Sequence, residues 1–469
     1  MKQILEAIVG LEWGDEGKGK IVDERAAYAQ SISPSKRTVV VRFQGGANAG
    51  HSLYVRDAQH ALQKFVVHAA PSGLTTNSDI AIGPHVAFDP ECFVNEVMQA
   101  SKLFNYKGRI MISERVGILM EYHKLLDAWN ETGTNAIGTT KSGIGPFYRD
   151  NAHRITRITA ADYISKDFPS KLQAVLDAKK HELLMADITK NVTDYAEHLL
   201  SIHDPIRQQL ASSIERLEYR LQDYVEQGNH IIIEGAQGTM LDVDMGSLPE
   251  VTSSHLLMPY AFPSLGLSRR DFKVYGVEKV YPTRVGNGAL PTLATDSFAN
   301  VSQDAGEVGA TTGRRRRVGY PDWALIKRAV RLNDCDGIYI TRVDCVQDRD
   351  MKACVGYRVG EEVIDEMPLD LSRLEPVYLN QAFRWHLWEG PKDLSDPLKV
   401  DQQLRKSRDM YVQGSRDDLP EGLQQYLFRH EAYINECLRN PCPIVGISIG
   451  PGRDETVMLM KEKQKTRRE

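Results

Sequence analysis

The residues able to do chemistry fall in seven short clusters. Gly10–Lys20 reads GLEWGDEGKGK. Gly14 to Lys20 fits G-x-x-x-x-G-K, a spacing with which backbone N–H groups close on phosphate oxygens while lysines add charge. Ile21 stands where such loops carry Ser or Thr, so the hydroxyl that would hold magnesium is missing. Asp15 is then the nearest carboxylate. A solvated Gly-rich turn is the competing reading, and Gly14, Gly17 and Gly19 with Lys18 and Lys20 weigh against it. Arg42–His51, RFQGGANAGH, combines close-approach glycines with Asn48 and His51. An imidazole titrates near neutrality and can act as a general acid; a hairpin with an exposed His is the alternative.

Gly138–Arg154 (GTTKSGIGPFYRDNAHR) sets the hydroxyls of Thr139 and Thr140 between glycines, a form suited to phosphate. Glu234–Ser254 repeats the Gly-and-hydroxyl theme. Its Asp242 and Asp244 tempt a metal reading, but D-x-D in an extended chain points to opposite faces, so a structural role is preferred. Gly309–Arg317, GATTGRRRR, looks like a loop clamping carboxylate or phosphate bidentately. Thr341–Asp344, TRVD, offers a carboxylate that can accept from a guanine's N1–H and 2-amino group together, which adenine cannot supply. Ser448–Arg453, SIGPGR, would alone pass for a turn. No histidine pair has H-E-x-x-H spacing and no cysteine pair is C-x-x-C, so a zinc site is not expected.

These clusters need elements to hold them. Short, nearly all-apolar runs at Ile4–Val9, Thr38–Phe43, Ile80–Ile82, Ile110–Ile112, Ile231–Ile233, Gly337–Thr341 and Ile444–Ile447 predict strands buried on both faces. Most end directly in a Gly or polar cluster, and ligands of open α/β sheets sit beyond the carboxyl ends of the strands. The expected fold is therefore α/β: a mostly parallel central sheet with a phosphate loop like that of P-loop NTPases, plus a helical subdomain and long loops. Residues 163–228 have helical apolar spacing, with a break expected near Pro205 and a stop at Gly228. Residues 388–422 look like a surface insertion. The whole, 1–469, reads as one composite domain.

With 58 Lys and Arg against 63 Asp and Glu, the chain is slightly acidic. That disfavours nucleic acid as partner for the arginine run. No window is long and apolar enough for a membrane span, and no signal peptide is evident. A cytoplasmic protein with reduced thiols is expected.

Taken together, WGDEGKGK, QGGANAGH, GTTKSGIGPFY, EGAQGTMLDVD with VTSS, GATTGRRRR, RVD and SIGPGR resemble, in order, the motifs of the adenylosuccinate synthetases. The likeness runs from about residue 4 to residue 456. It implies a GTP-dependent ligation of L-aspartate to IMP through 6-phosphoryl-IMP, giving adenylosuccinate, GDP and phosphate. By that resemblance Asp15 is the base at purine N1 and His51 the acid supporting phosphoryl transfer, with Lys18 and Gln237 also catalytic. One magnesium ion per subunit is implied, on Asp15 and the Gly50 carbonyl.

The resemblance also distributes the ligands. GTP would meet Gly14, Glu16, Gly17, Gly19, Lys20, Gly50, Ser52, Arg316, Arg342, Val343, Asp344, Ser448, Ile449 and Gly450. IMP would meet Asp15, Lys18, Asn48, Ala49, Thr140, Gln237, Thr252 and Arg314, with Arg154 reaching the neighbouring subunit of a homodimer. Aspartate would meet Ala310, Thr311, Thr312, Gly313, Arg314 and Arg316. Departures from the family pattern stand at Lys141–Ser142, Arg342 and Ser52. Another is His255-Leu-Leu-Met-Pro-Tyr, next to the IMP contact Thr252, a departure that bears on the fit of the purine or the mobility of that wall. They mark a divergent branch. The competing functions are ligation of aspartate to GMP or dGMP and an idle nucleotide-binding regulator. Retained Asp15 favours hypoxanthine, and intact Asp15, Lys18, His51 and Gln237 oppose the idle regulator.

Overall fold

The computed structural model describes residues 3–56, 62–133, 136–308, 313, 315–368, 370–387, 415–436 and 438–459. Its frame is a single large sheet. The strand Leu5–Gly10 lies between His230–Gly238 and Lys273–Lys279, parallel to both. On one side the sheet continues through Thr38–Gly46, Asp79–Phe88 and Ile110–Ser113; on the other through Gly337–Thr341 and Ile444–Ser448. All these pairings are parallel, and only the edge strand Thr456–Met458 is antiparallel. The seven predicted runs all lie in this sheet. Val39–Val41 and Ile231–Ile233 are wholly buried, as strands covered by helices on both faces should be.

Lys273–Lys279 was not among the predicted strands. KVYGVEK carries charges at both ends and a central glycine, so it lacks an unbroken apolar run, yet it sits near the middle of the sheet. The helical stretch divides into Ala160–Ile164, Phe168–Met185, Val192–Leu210 and Leu217–Glu226. The expected break at Pro205 does not occur: the helix Val192–Leu210 runs through it. Pro205 lies on the exposed face, while Tyr195, Leu199, His203 and Leu210 keep the buried face in register. Water can therefore serve the carbonyl that loses its N–H partner.

Of the expected insertion, residues 388–414 lie outside the described residues. Of its described end, residues 415–422, only Leu419 is buried, and the helix Glu421–Asn435 begins just before the expected boundary. Among the described residues no helix is long and apolar enough to cross a membrane, and Cys92, Cys335, Cys345, Cys354 and Cys442 are free thiols.

Candidate active site

The strands deliver their carboxyl ends to one cleft of about 680 Å³. Gly10, Gly46, Gly238, Lys279, Thr341 and Ser448 end strands along this rim. After the first strand the chain turns through Gly14, Asp15 and Gly17, all at positive φ, and the helix Lys18–Ile32 begins at once. Gly17 takes φ 92°, a conformation nearly closed to side chains other than Asn and Asp. The first N–H groups of the helix thus face the cleft, an arrangement suited to phosphate. Gly19 is required for a different reason: a Cβ there would come within 2.9 Å of the His51 Cβ.

Glu16 builds the loop from inside. Its buried carboxylate accepts from Glu12 N at 3.1 Å and Gly14 N at 2.8 Å, and pairs with Lys18 at 2.6 Å. Burial alone would raise its pKa, but the Lys18 ammonium and the N–H donors hold it below the ordinary range. Lys20 differs from expectation. Its ammonium donates to Ser448 Oγ, to Gly450 O at 2.7 Å and to Glu455 O at 2.9 Å. All three hydrogens are engaged, so in this arrangement Lys20 joins two walls of the cleft rather than reaching a phosphate. Burial lowers its pKa to about 8.

His51 opens the strand His51–Arg56, paired antiparallel with Leu62–Val67. The ring is buried. Its Nδ1 meets Glu234 Oε1 and its Nε2 lies 3.0 Å from Ala236 O. Both ring nitrogens thus face an oxygen. Glu234 also accepts from Ser72 N at 2.8 Å and Ser72 Oγ at 2.5 Å. Burial would raise Glu234, but His51, Arg42 and Ser72 together bring it down to about 2.

Asp15 lies within 2.8 Å of the Arg316 Nε, as an ion pair without hydrogen-bond alignment. On one side of the cleft Gln237 Nε2 donates to Asn48 Oδ1 at 2.9 Å, and Asn48 Nδ2 approaches Thr252 Oγ1 at 3.5 Å. The Gln237 Oε1 is buried with no protein partner, which leaves an acceptor for a ligand. Thr139 and Thr140 stand beyond. Asp127 shapes that loop by accepting from Thr139 Oγ1 at 3.0 Å and Gly143 N at 2.9 Å. On the other side are Arg342, Asp344, Ser448 and Gly450. Arg342 takes a left-handed φ of 63° and touches the Cys345 thiol at 3.6 Å.

Gly14 to Lys20, Asn48 to Ser52, Thr140, Gln237, Thr252, Arg316, Arg342, Asp344, Ser448 and Gly450 all line this one cleft. Val343 and Ile449 do not line it; both are wholly buried beneath it. Gly313 and Arg154 are exposed outside its lining. Ala310, Thr311, Thr312 and Arg314 lie outside the described residues. Trp13, Asp127, Arg284 and Val285–Asn287 line the cleft without having been singled out. A signal existed for the last of these: TRVGNG follows a strand and carries two glycines.

Residues 255–260 of the divergent segment after Thr252 do not line the cleft. Leu256, Leu257 and Met258 turn into the core, and the cleft lining stops at Ser253. Asp242, Asp244 and His255 gather closely enough to suggest a metal site. Both Asp242 oxygens, however, already accept backbone N–H groups, from Asp244 at 3.0 Å, Met245 at 2.9 Å and Leu256 at 2.5 Å. The structural reading holds for Asp242.

Comparison with known proteins agrees with this geometry. The adenylosuccinate synthetase family model matches residues 7–457. The chain is 36% identical to the adenylosuccinate synthetase of Geotalea daltonii, covering 96% of this chain and 97% of that one. It is 35% identical to that of Geobacter sulfurreducens, with 96% and 97% covered. Its fold is similar to a fully ligated adenylosuccinate synthetase from Plasmodium falciparum, with TM-score 0.81, 28% identity, and 97% and 100% of the two chains covered. A cyanophage succinoaminodeoxyadenylate synthetase bound to dGMP and dATP shares the fold alone, with TM-score 0.58, 15% identity, and 98% and 97% covered. The family model over residues 7–457 and relatives matched over nearly the whole length place the chain in the adenylosuccinate synthetase family of ligases.

Proposed function

We propose that this chain joins L-aspartate to IMP with GTP as phosphoryl donor, releasing adenylosuccinate, GDP and phosphate. The observation that carries the reading is the shared cleft: Asp15, His51 and the phosphate loop open into one space, with Asn48, Gln237 and Thr252 on one flank and Arg342, Asp344 and Ser448 on the other. A purine 6-oxo group is a poor leaving group, and phosphorylation makes it a good one. In this reading Asp15 takes the proton from purine N1 and the 6-oxyanion attacks the γ-phosphate. His51 supports transfer, and the aspartate amine then displaces phosphate. In-line positioning and charge neutralisation are what such a transfer needs. The helix N-terminus and Lys18 supply them.

Asn48, Ala49, Thr140, Gln237, Thr252 and Arg314 would hold IMP. The phosphate loop, Gly50, Ser52, Arg342, Asp344, Ser448 and Gly450 would hold GTP, with Asp344 selecting guanine. Ala310 to Arg314 and Arg316 would hold aspartate. The Asp15 carboxylate and Gly50 carbonyl are hard oxygen donors on the cleft wall, and magnesium needs few protein ligands beside phosphate oxygens. They fit the ion, which when bound would neutralise charge on the triphosphate. Buried Val343 and Ile449 would act through their backbone or by packing, and Lys20 by holding the Ser448–Glu455 turn.

The test mixes protein, magnesium, GTP and aspartate with IMP, GMP or dGMP and follows succinyl-nucleotide absorbance. Product with IMP is expected; product only with GMP or dGMP, or none, refutes the reading. ATP in place of GTP should support little turnover, and strong activity with it would remove Asp344 as selector.

Arg154 lies on the surface away from the cleft lining. We infer that it completes the site of a second copy in a homodimer. Mixing inactive Arg154→Leu and Asp15→Ala chains should then restore part of the activity, because one hybrid site carries neither change. No recovery would count against the shared site.

A further inference from the structure

Glu307 belongs to none of the clusters read from the sequence, yet three buried groups converge on it. Its carboxylate has no exposed surface and receives Arg316 Nη1 at 2.5 Å. Lys279 Nζ approaches its two oxygens at 3.2 and 3.1 Å, and the Tyr281 hydroxyl donates at 2.8 Å. The Arg316 guanidinium therefore spans two carboxylates: buried Glu307 on one side and cleft-lining Asp15 on the other, at 2.8 Å. The backbones are joined as well. Arg316 N donates to Glu307 O at 3.1 Å, and Val308 bridges to Arg315. Glu307 N in turn donates to Ser302 O at 2.8 Å. The same pair thus sets the base of the connection 308–315.

An arginine side chain has many rotamers, and one surface-facing partner does not select among them. A second carboxylate, itself fixed by Lys279 and Tyr281, does. We propose that Glu307 is a positioning residue for the ligase reaction. It holds the Arg316 side chain at Asp15, so that the Arg316 charge meets the anionic co-substrates. Glu307 touches no substrate itself. This rests on the reading that Arg316 contacts aspartate and GTP.

Steady-state kinetics with each substrate varied separate the two ideas. Arg316→Gln alone tests the underlying reading and should raise KM for aspartate and GTP about tenfold or more. Glu307→Gln should raise the same two constants by a similar factor, leave KM for IMP within about twofold, and be largely rescued by Glu307→Asp. In the Arg316→Gln background Glu307→Gln should add nothing, since both act through one contact. Glu307→Gln leaves Lys279 buried without a counter-charge and can fail to fold. The pair Lys279→Met with Glu307→Gln removes that problem and should show the same KM pattern, while Lys279→Met alone, which leaves Glu307 held by Tyr281 and Arg316, should move the two constants less than the pair does. If Arg316→Gln moves no KM, the underlying reading falls and this proposal with it. If Arg316→Gln moves them but neither Glu307 variant does, the proposal for Glu307 is overturned alone. Multiplying effects, or a loss of kcat with every KM unchanged, overturn it equally.

Discussion

Asp15→Ala is expected to lower kcat by about a thousandfold or more while changing IMP and GTP affinity less than about tenfold. A base that removes the N1 proton acts only as the reaction proceeds, so its loss should fall on turnover rather than binding. The fold should survive, because Arg316 keeps its buried partner Glu307 when Asp15 is removed. Asp15 has φ 62°, which alanine tolerates poorly. Asp15→Asn is therefore the companion variant: it keeps the turn and removes only the basic oxygen. Both variants should be inactive and both should bind nucleotide in a titration. Equal loss of binding and turnover would count against the role as base.

His51→Asn is expected to reduce kcat about a hundredfold with smaller changes in KM. Unchanged kcat would remove His51 from the chemistry. The ring also has a structural consequence through Glu234. A carboxylate held at about 2 in the folded chain, against an ordinary value of 4.5, stabilises the fold fully above pH 4.5. That contribution, about 3 kcal/mol, is lost as pH falls from 4.5 towards 2. Unfolding followed over this range should show a weaker acid dependence for Glu234→Gln than for the natural chain. An identical slope would mean that the Glu234 carboxylate is not held below its ordinary range in solution.

The sheet was readable because parallel strands covered on both faces must be apolar without alternation. Seven such runs stood out, and the interior strand they missed is the one whose last two residues are Glu278 and Lys279. Lys279 is buried because the Glu307 carboxylate receives it, whereas burial drives Glu278 and His430, 3.3 Å apart, towards their neutral forms. A strand whose ends are polar for tertiary reasons gives no local signal. The same limit hid Glu307, whose partners Lys279, Tyr281 and Arg316 are scattered along the chain. The tight turn before the helix Lys18–Ile32 was legible because glycine spacing is itself the geometry. Lys20 shows the reverse. Its motif position suggests phosphate, but direction of a side chain depends on what the fold brings near, and here that is the turn after Ser448. Pro205 was misjudged because a local rule about helix breaking says nothing of whether the freed carbonyl faces water.

The grip of Lys20 on Ser448 joins residues 428 positions apart. During synthesis the phosphate loop leaves the ribosome long before the turn that should cradle the nucleotide base. A growing chain thus carries half a nucleotide pocket and a lysine whose acceptors do not yet exist. Nascent chains halted before residue 448 should neither retain guanine nucleotide nor turn it over.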